Sequence, residues 1–133
     1  MDVRKFQVVL IAKDFDRTLA FYRDVLGLAI SHSWDRPDGR GVYFHFGGGF
    51  IEVLDERSAE HVEKVEGGAK VPLVAIPARI GVQVDDIEGL YQRLGSRGIP
   101  LQMALVDAPW GHRVFRVADP DGMVLTFYAE HKL

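Results

Sequence analysis

The stretch KDFDRTLAFYRDVLGLAI, residues 13–30, is answered by VDDIEGLYQRLGSRGIPL, residues 84–101. Each follows a short β-rich run, opens at an aspartate, carries a helical pattern of apolar residues and closes at a glycine. In the first, Phe15, Leu19, Tyr22 and Leu26 share one helical stripe, with Arg17, Arg23 and Asp24 outside it. In the second, the stripe is Ile87, Leu90, Tyr91 and Leu94. Asp14 or Asp16 is placed to cap the first helix, and Asp85 with Glu88 resembles a capping box for the second. Gly27, Gly95 and Gly98 read as helix stops. The aspartates Asp14 and Asp86 are 72 residues apart (86 − 14 = 72), and Gln7 and Arg79, each seven residues ahead of its aspartate, keep the same offset. A unit repeated in this way implies two half-units packed face to face, with a ligand pocket between them.

The flanking sequence completes each unit. Residues 6–12 read as a buried strand, Leu28 to Trp34 as a second, Val42 to Phe46 as a third and Phe50 to Leu54 as a fourth, with turns at RPDGRG and at the three glycines 47–49. In the second half, Arg79 to Val84 alternates like a half-buried strand. Leu101 to Val106, Arg113 to Val117 and Met123 to Tyr128 follow as strands, separated by APWG and DPDG. The order is β-α-β-β-β twice. The expected fold is α+β: one domain over residues 1–133, with module one at 1–55, a linker at 56–77 and module two at 78–133. The linker begins charged, ends with two prolines and has room for one helical turn around Ala59–Val65. It reads either as a solvated connection or as a cover over something.

Composition excludes several classes. A chain of 133 residues holds one compact core. Lys plus Arg is 16 against 19 Asp plus Glu, with no basic stripe, so nucleic acid is not an expected partner. There is no cysteine, hence no disulfide, thiolate metal site or cysteine nucleophile, which fits a reducing cytoplasm. The apolar run near the N-terminus is too short for a membrane span or signal peptide, so no membrane is expected. The glycines at 47–49 lack the helix and lysine of a phosphate loop, and Ser31, Ser33, Ser58 and Ser96 sit in no nucleophile elbow.

FYRDVLGL at 21–28, PWG at 109–111 and DPDG-x-x-L at 119–125 resemble the vicinal oxygen chelate superfamily, which includes glyoxalase I, extradiol dioxygenases and the fosfomycin- and bleomycin-resistance proteins. The tail PWGHRVFRVADPDGMVLTFYAE is most similar to the bleomycin-resistance type. The resemblance implies paired βαβββ modules forming a curled mixed sheet around a cleft, and homodimers. In metal-dependent members it also implies a divalent ion on four side chains, usually His, Glu, His and Glu. Carried over one at a time, those positions fall on Gln7, Glu52, Arg79 and Thr126. One carboxylate remains, and a guanidinium has only donors to offer and stays cationic. No metal site and no cofactor are therefore expected. His32, His45, His61, His112 and His131 show no metal-ligand spacing.

Strand alternation puts Phe50, Glu52 and Leu54 on one face, and Val124, Thr126 and Tyr128 on another. The candidate ligand-binding residues are Gln7, Trp34, Tyr43, His45, Phe50, Arg79, Trp110, Thr126 and Tyr128, with Glu52 the candidate general base. Alternatives remain open. Glu52 and Arg79 read as an internal ion pair or as two ligand contacts. Tyr43 and Phe50 read as cleft or core, and Trp110 as turn packing or ligand contact. Three functions follow: a metal-free binding protein for a small aromatic or amphiphilic molecule, as in antibiotic sequestration; a metal-dependent lyase or dioxygenase; and a metal-free lyase or isomerase using Glu52.

Overall fold

A computed structural model describes residue 2, residues 5–66 and residues 79–130. The chain divides into two compact units, Met1–Val74 and Ala75–Leu133. Each holds a four-stranded mixed sheet of the same topology.

In the first unit β1 (Gln7–Ala12) runs parallel to β4 (Gly49–Asp55), and β3 (Gly39–Phe46) and β2 (Ile30–Arg36) continue the sheet antiparallel, in the order β1-β4-β3-β2. A parallel neighbour pair requires a crossover, and α1 (Phe15–Ala20) begins it. Asp14 caps this helix by accepting from the Arg17 backbone N–H at 3.2 Å. The helix buries Phe15 and Thr18, the turn after it buries Phe21 and Tyr22, and Tyr22 lies 6.0 Å from Phe44 of β3. The expected single helix changes pitch: Phe21–Val25 forms a π-helical turn, in which the Leu26 N–H bonds back to the Phe21 carbonyl. The adjacent rings Phe21 and Tyr22 both turn inward, edge to face at 5.1 Å, and Leu26 is left half-buried.

A second difference is α2 (Glu56–Glu66), which fills residues that suggested a connector with at most one turn. Asp55, at the end of β4, accepts from the Ser58 N–H at 2.7 Å and so starts this helix directly from the strand. Ser58 is buried, and a Cβ on Gly39 would come within 2.3 Å of its backbone nitrogen. The glycine is what lets α2 lie against the start of β3. The rest of the expected linker, residues 67–77, lies outside the described residues, as do residue 78 and His131.

In the second unit β5 (Arg79–Gln83) runs parallel to β8 (Val124–Glu130), followed by β7 (His112–Ala118) and β6 (Leu101–Ala108). The crossover helix α3 (Ile87–Ser96) is capped by Asp86, which accepts from the Gly89 N–H at 3.0 Å. Asp85 is therefore not the cap. Glu88 reaches instead to Arg113, which Asp107 also holds at 2.7 Å, and these carboxylates raise the Arg113 pKa. The core is Leu94, Phe115, Val117, Leu125 and Phe127, with Tyr91 edge-on to Phe115 at 5.2 Å.

Positive φ at Gly27 (73°) and Gly98 (68°) explains why glycine ends both crossover helices. The DPDG turn is built on Asp119. This residue is 5 % exposed, and its carboxylate accepts from the N–H groups of Asp121 at 2.9 Å and Met123 at 2.8 Å. Among the described residues no helix is long and apolar enough to cross a membrane.

Candidate functional site

Each sheet has one face packed on its crossover helix and a far face turned away from it. Register places the candidate residues on the two far faces.

In the first unit, Glu52 stands opposite Val9 on β1 and Tyr43 on β3, and Tyr43 stands opposite His32 on β2. The row below holds Gln7, Phe50 and His45. The row above holds Ile11, Leu54, Gly41 and Trp34. Six of the expected residues, Gln7, Trp34, Tyr43, His45, Phe50 and Glu52, thus share a single sheet face. Their rings form a continuous tract: His32 to Trp34 at 5.7 Å, Trp34 to Tyr43 at 5.8 Å, Tyr43 to Phe50 at 6.3 Å and Phe50 to His45 at 5.3 Å. Tyr43 and Phe50 are half-buried, so they are neither sealed core nor free surface. The Lys5 ammonium lies 4.4 Å from the Phe50 ring centre and 5.1 Å from that of Tyr43.

Trp34 sits within β2, packed flat over Gly41, and not at a strand end. A Cβ on Gly41 would meet its ring at 2.0 Å. The indole N–H points to Ser58 Oγ at 3.5 Å, so α2 borders the tract at this end.

Glu52 is 9 % exposed and is the one carboxylate on this face of β1–β4. Its local partner is Tyr43. Burial, and then the hydrogen bond to Glu52, raise the Tyr43 pKa, while a hydrogen bond with Gln7 works the other way. An ionised carboxylate only accepts, so the Tyr43 hydroxyl is the donor in its hydrogen bond with Glu52.

In the second unit the equivalent row is Gly81, Thr126, Arg116 and Met103. Arg79 pairs with Val124, one row down, and is exposed. Tyr128 pairs with Gln83 and Val114, and its ring stacks on His112 at 4.7 Å. Arg116 Nε and Thr126 Oγ1 are both buried without a hydrogen-bond partner. Trp110 belongs to neither face. It is 72 % exposed in the β6–β7 turn, where the Gly111 N–H bonds to the Ala108 carbonyl at 3.2 Å.

Sequence reading missed Arg116, Lys5 and His32. The alternation of HRVFRVA does place Arg116 on the face of Thr126, and a cation between Phe115 and Val117 was the available signal.

The donor set does not suit a divalent ion. The four positions offer one carboxylate, an amide, a hydroxyl and a guanidinium, and among the described residues no three His, Asp or Glu side chains gather to hold a metal. Arg79 can donate hydrogen bonds but cannot ligate.

A family model described as the Glyoxalase/Bleomycin resistance protein/Dioxygenase superfamily matches residues 6–127. The bleomycin resistance protein of Geobacillus stearothermophilus is 31 % identical over 128 residues, covering 90 % of this chain and 91 % of the relative. YraH of Bacillus subtilis (strain 168) is 26 % identical over 132 residues, covering 95 % and 98 %. A crystal structure of a glyoxalase/bleomycin resistance protein/dioxygenase from Nocardioides superposes with a TM-score of 0.73 at 23 % identity, over 99 % of this chain and 86 % of the other. The doubled βαβββ topology agrees with that match, and the chain belongs to the glyoxalase/bleomycin resistance protein/dioxygenase superfamily.

Proposed function

We propose that this protein binds a small aromatic or amphiphilic molecule, without a metal ion, on the far face of its first sheet. The observation that carries this reading is the ring tract His32–Trp34–Tyr43–Phe50–His45 with one carboxylate, Glu52, set into it. Half-buried aromatic faces offer a flat molecule a large apolar contact, and a few fixed polar groups orient it. The Gln7–Tyr43–Glu52 chain is such a group. The Lys5 ammonium over Phe50 and Tyr43 indicates that these rings favour a cationic group. Arg79, Thr126 and Tyr128, on the second unit's own sheet, are carried as candidate ligand contacts of that unit. The similarity to a bleomycin resistance protein agrees with sequestration as the use of such binding.

We also carry homodimerisation and a cytoplasmic location in this reading. The apolar residues Ile30 on β2 and Leu101 and Val106 on β6 are exposed on outer strands, which supports pairing of copies. Light scattering would show twice the monomer mass.

The test uses Trp34 as reporter in a Trp110→Phe background. Glycopeptide, phenazine and quinone-like compounds are titrated while fluorescence and melting temperature are followed. Saturable quenching with a rise in melting temperature supports the reading. No change with any compound overturns it.

One observation favours a second reading, a metal-free lyase or isomerase. Glu52 is a buried carboxylate with a hydroxyl donor attached, a pair able to take and return a proton. Under that reading Glu52→Gln abolishes turnover and leaves folding intact; under the binding reading it changes affinity alone.

A further inference from the structure

The far face of the second sheet holds two hydrogen-bond donors with nothing to donate to. Arg116 Nε and Thr126 Oγ1 are buried without partners, and the two residues stand directly opposite each other on β7 and β8. A guanidinium N–H left unpaired in a protein interior is costly, because it has given up water and received no acceptor in return. The next position in the same row is Gly81 on β5, opposite Thr126. Nothing lies within 4 Å of where a Cβ on Gly81 would be. The corresponding position in the first sheet, opposite Glu52, is Val9, whose side chain occupies this space. The second sheet therefore has open space over Gly81, in the same row as two unsatisfied donors.

Charge completes the picture. Arg79 lies two residues before Gly81, on the same face of β5, and is exposed. Among the described strand residues of this face the one carboxylate is Glu130, opposite His112 at the far end of β7. Asp107 and Glu88 are on the opposite face, where they hold Arg113. Two guanidinium groups and a hydroxyl thus stand around the open position at Gly81, and among the described strand residues of this face no acid lies in the same or the adjoining rows.

The geometry points to an oxyanion-binding subsite at Arg116, Thr126 and Gly81, with Arg79 at its edge, taking a carboxylate or phosphoryl group of a small molecule. A carboxylate or phosphate supplies the acceptors that Arg116 and Thr126 lack, and a guanidinium meets either group with paired hydrogen bonds. The same arrangement explains in chemical terms why a position that would carry a metal-ligating glutamate carries Thr126 here: an anion at this place needs a donor, not another acid. The subsite lies in a different unit from the Trp34–Phe50 tract and has its own readout, so either can fail without the other.

The test follows the Arg116 Nε–H resonance in ¹⁵N-labelled protein while sodium phosphate, sodium benzoate or sodium chloride is added at matched ionic strength, which holds screening constant. The expected result is a saturable shift with phosphate or benzoate beyond that with chloride, and the tighter of the two identifies the group. Thr126→Val, which keeps the side-chain shape, should weaken binding by roughly tenfold, the effect of one hydrogen bond to a charged group. Gly81→Val should abolish it by filling that open space, in a strand position where valine is favourable. The dispersion of backbone amide resonances in the same ¹⁵N-labelled samples confirms that both variants are folded. The proposal is overturned if the Arg116 resonance responds to phosphate and benzoate no more than to chloride, or if both variants bind as the parent does.

Discussion

Tyr43 stands directly across from Glu52 on neighbouring strands and gives its hydroxyl proton to that carboxylate. The pair closes a buried charge within one unit. Replacing Tyr43 with Phe leaves Glu52 short of a donor at a site only 9 % exposed. The expected loss of stability is about 1–3 kcal/mol, measured by urea unfolding.

The same pair fixes a pH dependence. The folded protein holds the Tyr43 pKa above the ordinary phenol value of about 10. A group whose pKa is raised on folding binds its proton more tightly in the native state, so its contribution is complete below the unfolded value and is lost as pH rises through the folded one. Melting temperature should therefore fall more steeply above about pH 10 in the parent than in Tyr43→Phe. An ultraviolet difference titration between the two proteins should show one late phenolate step.

Gly41 is the seat of Trp34. An added methyl would meet the indole at 2.0 Å, and the ring would have to leave the sheet face. Gly41→Ala in a Trp110→Phe background should shift Trp34 emission to the red and cost about 1–3 kcal/mol. Unchanged emission would show that Trp34 does not rest on Gly41.

The second unit's core depends on Phe115, fully buried and stacked on Phe127 at 5.3 Å. Phe115→Ala should cost about 3–5 kcal/mol through lost burial and the cavity it leaves.

How much of this was legible follows from what each residue does. The repeat around Asp14 and Asp86 revealed the doubled unit, because capping and helical periodicity are local effects. Alternation assigned Phe50, Glu52 and Leu54 to one face of β4, and Val124, Thr126 and Tyr128 to one face of β8, and the sheet registers agree. The π-turn at Phe21–Val25 was not legible, since it arises where two adjacent rings both find room in the core. Helix α2 was hidden because its sequence is mostly charged. It is held by the Asp55 cap and by the fit of Ser58 against Gly39, a contact between residues 19 apart in sequence (58 − 39 = 19). Arg116 escaped because its significance depends on the missing partner and on the space over Gly81, which are properties of three strands together.

The central claim is that this protein binds its ligand without a divalent ion. The most direct measurement is elemental analysis of protein purified without chelator and dialysed against metal-free buffer. The account predicts far less than one equivalent of nickel, zinc, iron or manganese per chain; a full equivalent retained through dialysis would contradict it.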